Sequence, residues 1–110
     1  MIYELREYTA VPGRMPALIR RFNEHALKGL ARHGMEVVFI SLTEFGTNTM
    51  NEIVYVLRFD SYDELERKWN ALLADPEWIE AKRLSEVDGP LVASLGRRIL
   101  TGNPFAQGRP

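Results

Sequence analysis

The chain has 110 residues, one domain's worth, with 45% hydrophobic and 26% charged residues, the proportions of an ordinary globular protein. Fourteen Lys and Arg against 15 Asp and Glu give a formal net charge of −1, without the basic excess that a nucleic-acid binder uses to neutralise phosphates. The lack of cysteine removes disulfides, thiolate nucleophiles, zinc–thiolate sites and iron–sulfur clusters together.

The first element expected is a strand over Ile2 to Thr9, where Tyr3, Leu5 and Tyr8 stand among charges at strand spacing. No basic start with an apolar stretch precedes it, as a signal peptide would require, and no apolar run of about 18 residues occurs anywhere. The expectation is a cytoplasmic protein with no membrane segment. Pro12 and Gly13 end the strand in a turn. A helix is predicted over Pro16–His33, with Leu18, Ile19, Phe22, Ala26 and Leu30 on its apolar stripe and Gly34 as the residue that ends it. Gly29 inside this helix costs about 1 kcal/mol relative to Ala, which points to a close packing contact.

Met35 to Phe45 reads as the second strand and Glu52 to Phe59 as the third, joined by a hairpin loop from Gly46 to Asn51. In the second strand both alternation sets are apolar, Val37 and Phe39 in one, Val38, Ile40 and Leu42 in the other. That implies a sheet covered on both faces. Ser61 and Glu64 form a capping box ahead of a helix with Leu65, Trp69, Leu72 and Leu73 on its buried side. Asp75, Pro76 and Glu77 restart a short helix running to about Val87. Asp88, Gly89 and Pro90 break it, Leu91 to Leu100 is the fourth strand, and 101–110 is a Gly- and Pro-rich tail. The order βαββαβ, with one extra helix, is the ferredoxin-like α+β arrangement with a four-stranded antiparallel sheet. Helices cover one face. A second copy is the simplest cover for the other, giving a homodimer through the sheet face.

Several of these segments resemble the NIPSNAP family. They are the opening run from Met1 to Thr9 followed by Pro12 and Gly13, then Thr43 to Gly46, Asn51 to Asp60, and Asp75 to Trp78. The motifs lie in order and span nearly the whole chain as far as about Leu100. The resemblance implies a dimeric α/β barrel. Its wider superfamily includes cofactor-free monooxygenases, lactone isomerases and haem enzymes, so fold alone does not select a chemistry. The family pattern often carries His in the third strand where this chain has Tyr55, so any role of that His is lost or changed here.

Candidate ligand-binding residues are Glu4, Arg6, Tyr8, His25, Tyr55, Trp69 and Trp78, with no catalytic residue assigned. Glu4, Arg6 and Tyr8 share one strand face by period 2. They either line a cleft in which Arg6 grips an anion or form an ion pair within the sheet. His25 flanks the apolar stripe, as a base or ligand facing a pocket or as a boundary histidine. His33 suits the helix C-terminus. The two histidines lie roughly 12 Å apart along the axis, too far to share a metal. No metal site and no cofactor is expected, haem remaining open only through His25 as an axial ligand. Tyr55, Trp69 and Trp78 read as core residues or pocket walls. Arg97 and Arg98 point to opposite faces and form no patch. Phosphate-binding glycine loops and a nucleophilic serine context are missing. Two functions stand open: a cofactor-free, monooxygenase- or isomerase-like enzyme on a small apolar substrate, and a non-catalytic dimeric binding or interaction module.

Overall fold

The computed structural model describes residues 1–102, 104 and 105, so most of the expected tail lies outside the described residues. Four strands form one antiparallel sheet: β1 (Ile2–Ala10), β2 (Glu36–Leu42), β3 (Glu52–Phe59) and β4 (Val92–Thr101), in the order β2-β3-β1-β4. The first helix, α1, has three consecutive parts: Met15–Arg21 is α-helical, Phe22–Ala26 is a π turn, and Leu27–Arg32 is α-helical again. Helices α2 (Tyr62–Leu73) and α3 (Pro76–Ser85) follow β3. This is the ferredoxin-like α+β fold, its second crossover lengthened by α3. Among the described residues no helix is long and apolar enough to cross a membrane.

The helix ends follow local chemistry. Ser61 accepts the Glu64 N–H at 3.1 Å, as the capping box requires. The return half differs, because Glu64 Oε2 accepts the Asp60 N–H rather than that of Ser61. Asp75 caps α3 by accepting the Glu77 N–H at 2.9 Å. Gly34 ends α1 with φ +70°, a value that a side chain disfavours. Helix α3 stops at Ser85, two residues short of the expected end: Glu86 leaves the helical conformation at φ −111°, and Gly89 then turns the chain with φ +115°.

The helix-covered side of the sheet makes the core with Leu18, Phe22, Leu30, Leu65 and Leu72 from the helices. Residues opposite one another in an antiparallel pair share a face. Ile53, Tyr55 and Leu57 therefore lie on the same side as Leu42, Ile40 and Val37 of β2. The register slips between Val37 and Phe39, a bulge. The bulge accounts for β2's double alternation: Val37, Ile40 and Leu42 end on one face, and only Phe39 of the apolar set pairs with Val56 on the other. Leu73, expected on the buried side of α2, is instead 58% exposed, at the edge of the groove between sheet and helices.

Candidate functional site

Strand β1 supplies the centre of the site. Glu4, Arg6 and Tyr8 face the helices, as their spacing requires. Glu4 is fully buried. Its Oε2 accepts from Arg6 Nη1 at 2.9 Å and lies 2.6 Å from Arg97 Nε, while Oε1 accepts from the Trp69 indole at 2.6 Å. Both oxygens of this buried carboxylate thus meet N–H donors, two of them guanidinium groups. Arg6 in turn donates from Nε and Nη2 to the Tyr8 hydroxyl at 3.2 and 3.0 Å. The hydroxyls of Tyr8 and Tyr55 share a hydrogen bond of 3.0 Å. The Trp69 ring stacks on the Arg6 guanidinium, 4.2 Å from centroid to Cζ.

The register explains this convergence. Arg6 pairs with Tyr55 on one side and with Arg97 on the other, so one rung of the sheet carries all three. Tyr8, Phe22 and Tyr55 complete the wall as three rings whose centroids are each 5.5 Å apart. Burial first, and then the neighbouring Tyr8, push the Tyr55 hydroxyl well above the usual tyrosine value. Tyr55 is therefore a hydrogen-bonding phenol and not a phenolate. Burial alone favours a neutral Arg6, but Tyr8, Tyr55 and Glu4 more than reverse this and hold it above the ordinary arginine value.

Arg6, Tyr8 and Tyr55 border a cleft of about 360 Å³ between the sheet and the helices. Arg6, Tyr8, Tyr55, Trp69 and Trp78 all line it, with Phe22, Ala26, Leu30 and Leu72 as the apolar wall. Arg21, Lys82 and Glu86 also belong to the lining. Arg21 donates to Glu86 Oε1 at 2.9 Å and to the Ser85 hydroxyl at 3.2 Å, fastening α1 to the end of α3. A second cleft of about 420 Å³ lies against Arg6, Trp69, Tyr62, Asn70 and Arg97.

Of the sequence candidates, Glu4 lies behind the cleft as the partner of Arg6, and His25 lies elsewhere. The His25 side chain is 45% exposed, 4.0 Å from Glu24, beside a notch of only about 20 Å³. The π turn is the physical reason. Its wider turn brings the Leu27 N–H to the Phe22 carbonyl and rotates each residue less about the axis. His25, three positions after Phe22, then falls short of the apolar stripe. His33 also differs from a simple dipole partner, since its Nε2 lies 2.8 Å from Asp75 Oδ2. Arg97 is the residue that sequence reasoning missed. Arg97 and Arg98 do face opposite sides, but no sequence pattern revealed that Arg97 would pair with Arg6 and share its carboxylate. Among the described residues no cluster of three His, Asp or Glu side chains could hold a metal ion.

The family model for NIPSNAP matches residues 3–107. The chain belongs to the NIPSNAP family. No curated protein matches it. Among solved structures, a NIPSNAP family protein of unknown function from Agrobacterium tumefaciens is 28% identical, with 96% of both chains covered and a TM-score of 0.82. An uncharacterised NIPSNAP-like domain protein from Burkholderia xenovorans is 23% identical over 99% of this chain and 90% of that one, with a TM-score of 0.81. A candidate antibiotic biosynthesis monooxygenase from Deinococcus radiodurans shares the fold at a TM-score of 0.63 and 13% identity, with 97% of both chains covered.

Proposed function

We propose that this NIPSNAP chain binds a small, largely apolar molecule in the cleft between sheet and helices, with the molecule's polar end against Arg6, Tyr8 and Tyr55. The observation that carries this is the Arg6–Tyr8–Tyr55 network bordering a cleft of about 360 Å³ whose other lining is mostly apolar. Few convergent polar groups in an apolar cavity are the usual make-up of a ligand site. A fixed cation and two phenols also suit an oxygen that gains charge during a reaction, as in a cofactor-free oxygenase or an isomerase. The fold shared with candidate monooxygenases supports that version by analogy alone.

Binding without chemistry is the second reading, and one observation favours it. The groups at the polar end are committed: both Glu4 oxygens are engaged, Tyr55 holds its proton, and His25 lies outside the cleft. Glu86, the acidic residue of the lining, is tied to Arg21.

A thermal-shift and calorimetric screen of small aromatic and alicyclic probes tests the binding. Ala26→Phe fills the cleft without removing a hydrogen bond. A probe that stabilises the wild type and not Ala26→Phe supports the cleft, whereas equal shifts in both proteins place the ligand elsewhere. Oxygen uptake and product analysis with any such probe then separate the enzyme from the binding module.

The homodimer belongs to the same proposal. Leu5, Val54, Val56, Leu100 and the half-exposed Phe39 share the sheet face turned away from the helices. A second copy of this face would cover them. Sedimentation of wild type and Phe39→Asp tests it: a dimer that Phe39→Asp dissociates is expected, and a wild-type monomer at high concentration removes it.

A further inference from the structure

Arg97 is bound to the site and yet is not part of the main cleft's wall. Its Nε and the Nη1 of Arg6 both meet the same oxygen, Glu4 Oε2. One buried carboxylate thus serves two guanidinium groups, and the cluster carries one positive charge in excess. The Trp69 N–H occupies the other Glu4 oxygen, so the carboxylate has little capacity left for balancing a second cation. Among the described residues Arg6 uses three of its five N–H groups, leaving two for a ligand.

The surrounding charges do not cancel the excess. Arg21 and Glu86 of the lining form an ion pair, and Lys82 is a further cation there. Glu66 of α2 lines the second cleft beside Arg97 and is exposed. Even with Glu66 included, Arg6, Arg21, Lys82 and Arg97 outnumber Glu4, Glu66 and Glu86. The apolar part of the lining, Phe22, Ala26, Leu30 and Leu72 among it, screens this field poorly.

We propose that the cleft selects ligands bearing an ionised oxygen on an apolar body, and that Arg97, in the adjoining second cleft, sets this preference. The inference rests on the binding function proposed above and deepens it. Without Arg97, Glu4 would neutralise Arg6, and the site would offer hydrogen bonds but no net charge. With Arg97 present, Arg6 is a cation whose counter-ion is shared. A carboxylate, phenolate or enolate oxygen restores the balance. Arg97 is a positioning residue in this scheme, acting through Glu4 and Arg6 rather than by contact with the ligand.

The test uses 4-nitrophenol, which ionises near neutral pH with a visible spectral change, and its neutral analogue 4-nitroanisole. Spectrophotometric titration of nitrophenol with the protein should show its apparent pKa lowered by about one unit, equivalent to phenolate binding about tenfold tighter than phenol. Arg97→Gln should reduce that preference roughly three- to tenfold, the effect of one partly screened charge nearby, and leave nitroanisole affinity unchanged. Arg97→Lys, which keeps the charge, should retain most of the preference. An apparent pKa that is unchanged or raised in the wild type overturns the proposal without any variant. A lowered pKa that survives Arg97→Gln overturns the role of Arg97. If neither probe binds, the cleft reading itself fails, an outcome distinct from binding without anion preference.

Discussion

The Trp69 indole donates to Glu4 Oε1 at 2.6 Å across 65 residues of sequence, so that both oxygens of a fully buried carboxylate are engaged. This bond fixes α2 over the polar centre of the sheet. Glu4→Gln would leave Arg6 and Arg97 without their counter-ion and set an amide N–H against other donors. It should lower unfolding free energy by about 3–5 kcal/mol. Trp69→Phe leaves Oε1 without its donor and should cost about 1–3 kcal/mol. Denaturant unfolding of both singles and the double should show a deficit smaller than the sum, because the two changes break one network.

Gly29 faces Leu72, and a Cβ at that position would lie 2.9 Å from Leu72 Cδ1. Gly29→Ala gains about 1 kcal/mol of helix propensity, but overpacking a buried contact costs about 1–3 kcal/mol. The expected net result is a loss of about 1 kcal/mol, measured by denaturant unfolding. Leu72 lines the cleft, so the same substitution should also weaken ligand binding. Leu72→Val, added to Gly29→Ala, shortens the obstructing side chain and should recover part of the stability.

Tyr55 makes stability depend on alkaline pH. Its folded-state pKa is raised above the ordinary value of 10.0, by burial first and then by Tyr8. The unfolded chain therefore releases this proton first, so the stabilisation is complete below about pH 10 and is lost as pH rises beyond it. Tyr55→Phe removes one hydrogen bond, worth about 1 kcal/mol at neutral pH. Its unfolding midpoint should fall less steeply than that of the wild type above about pH 10.

Asp75 gives the opposite sign at the acid end. Its Oδ2 meets His33 Nε2 and Arg32 Nη2, each at 2.8 Å, and these partners hold the carboxyl well below its usual range. The unfolded chain takes up this proton before the folded one does. Asp75 therefore stabilises the fold above about pH 4, and that contribution fades as pH falls towards about 2. Asp75→Asn keeps a competent helix cap but has no charge to lose. Its thermal midpoint should change less with pH across this window than that of the wild type.

The order of elements along the chain and the helix positions were legible because β-branched runs, a capping box, Pro16, Pro76 and Gly34 each carry a local signal. The shared face of Glu4, Arg6 and Tyr8 followed from period 2 alone. The π turn at Phe22–Ala26 was not legible, since an apolar stripe reads the same with one residue more in a single turn, and His25 was placed too close to the pocket for that reason. Arg97 was hidden by a different cause. A strand's own pattern gives the face of each residue but not its neighbour, and only the pairing of β4 with β1 sets Arg97 opposite Arg6. The bulge between Val37 and Phe39 acted similarly, making one apolar face of β2 look like two.

The chain contains two tryptophans, and both line the cleft. One lies against Arg6 and the other has the Arg21 guanidinium 5.8 Å from its ring. All the indole emission of the protein thus originates at a single location, beside two cations that a bound molecule would displace or shield. A molecule entering the cleft as proposed should therefore change this emission, with no tryptophan elsewhere in the sequence to dilute the signal.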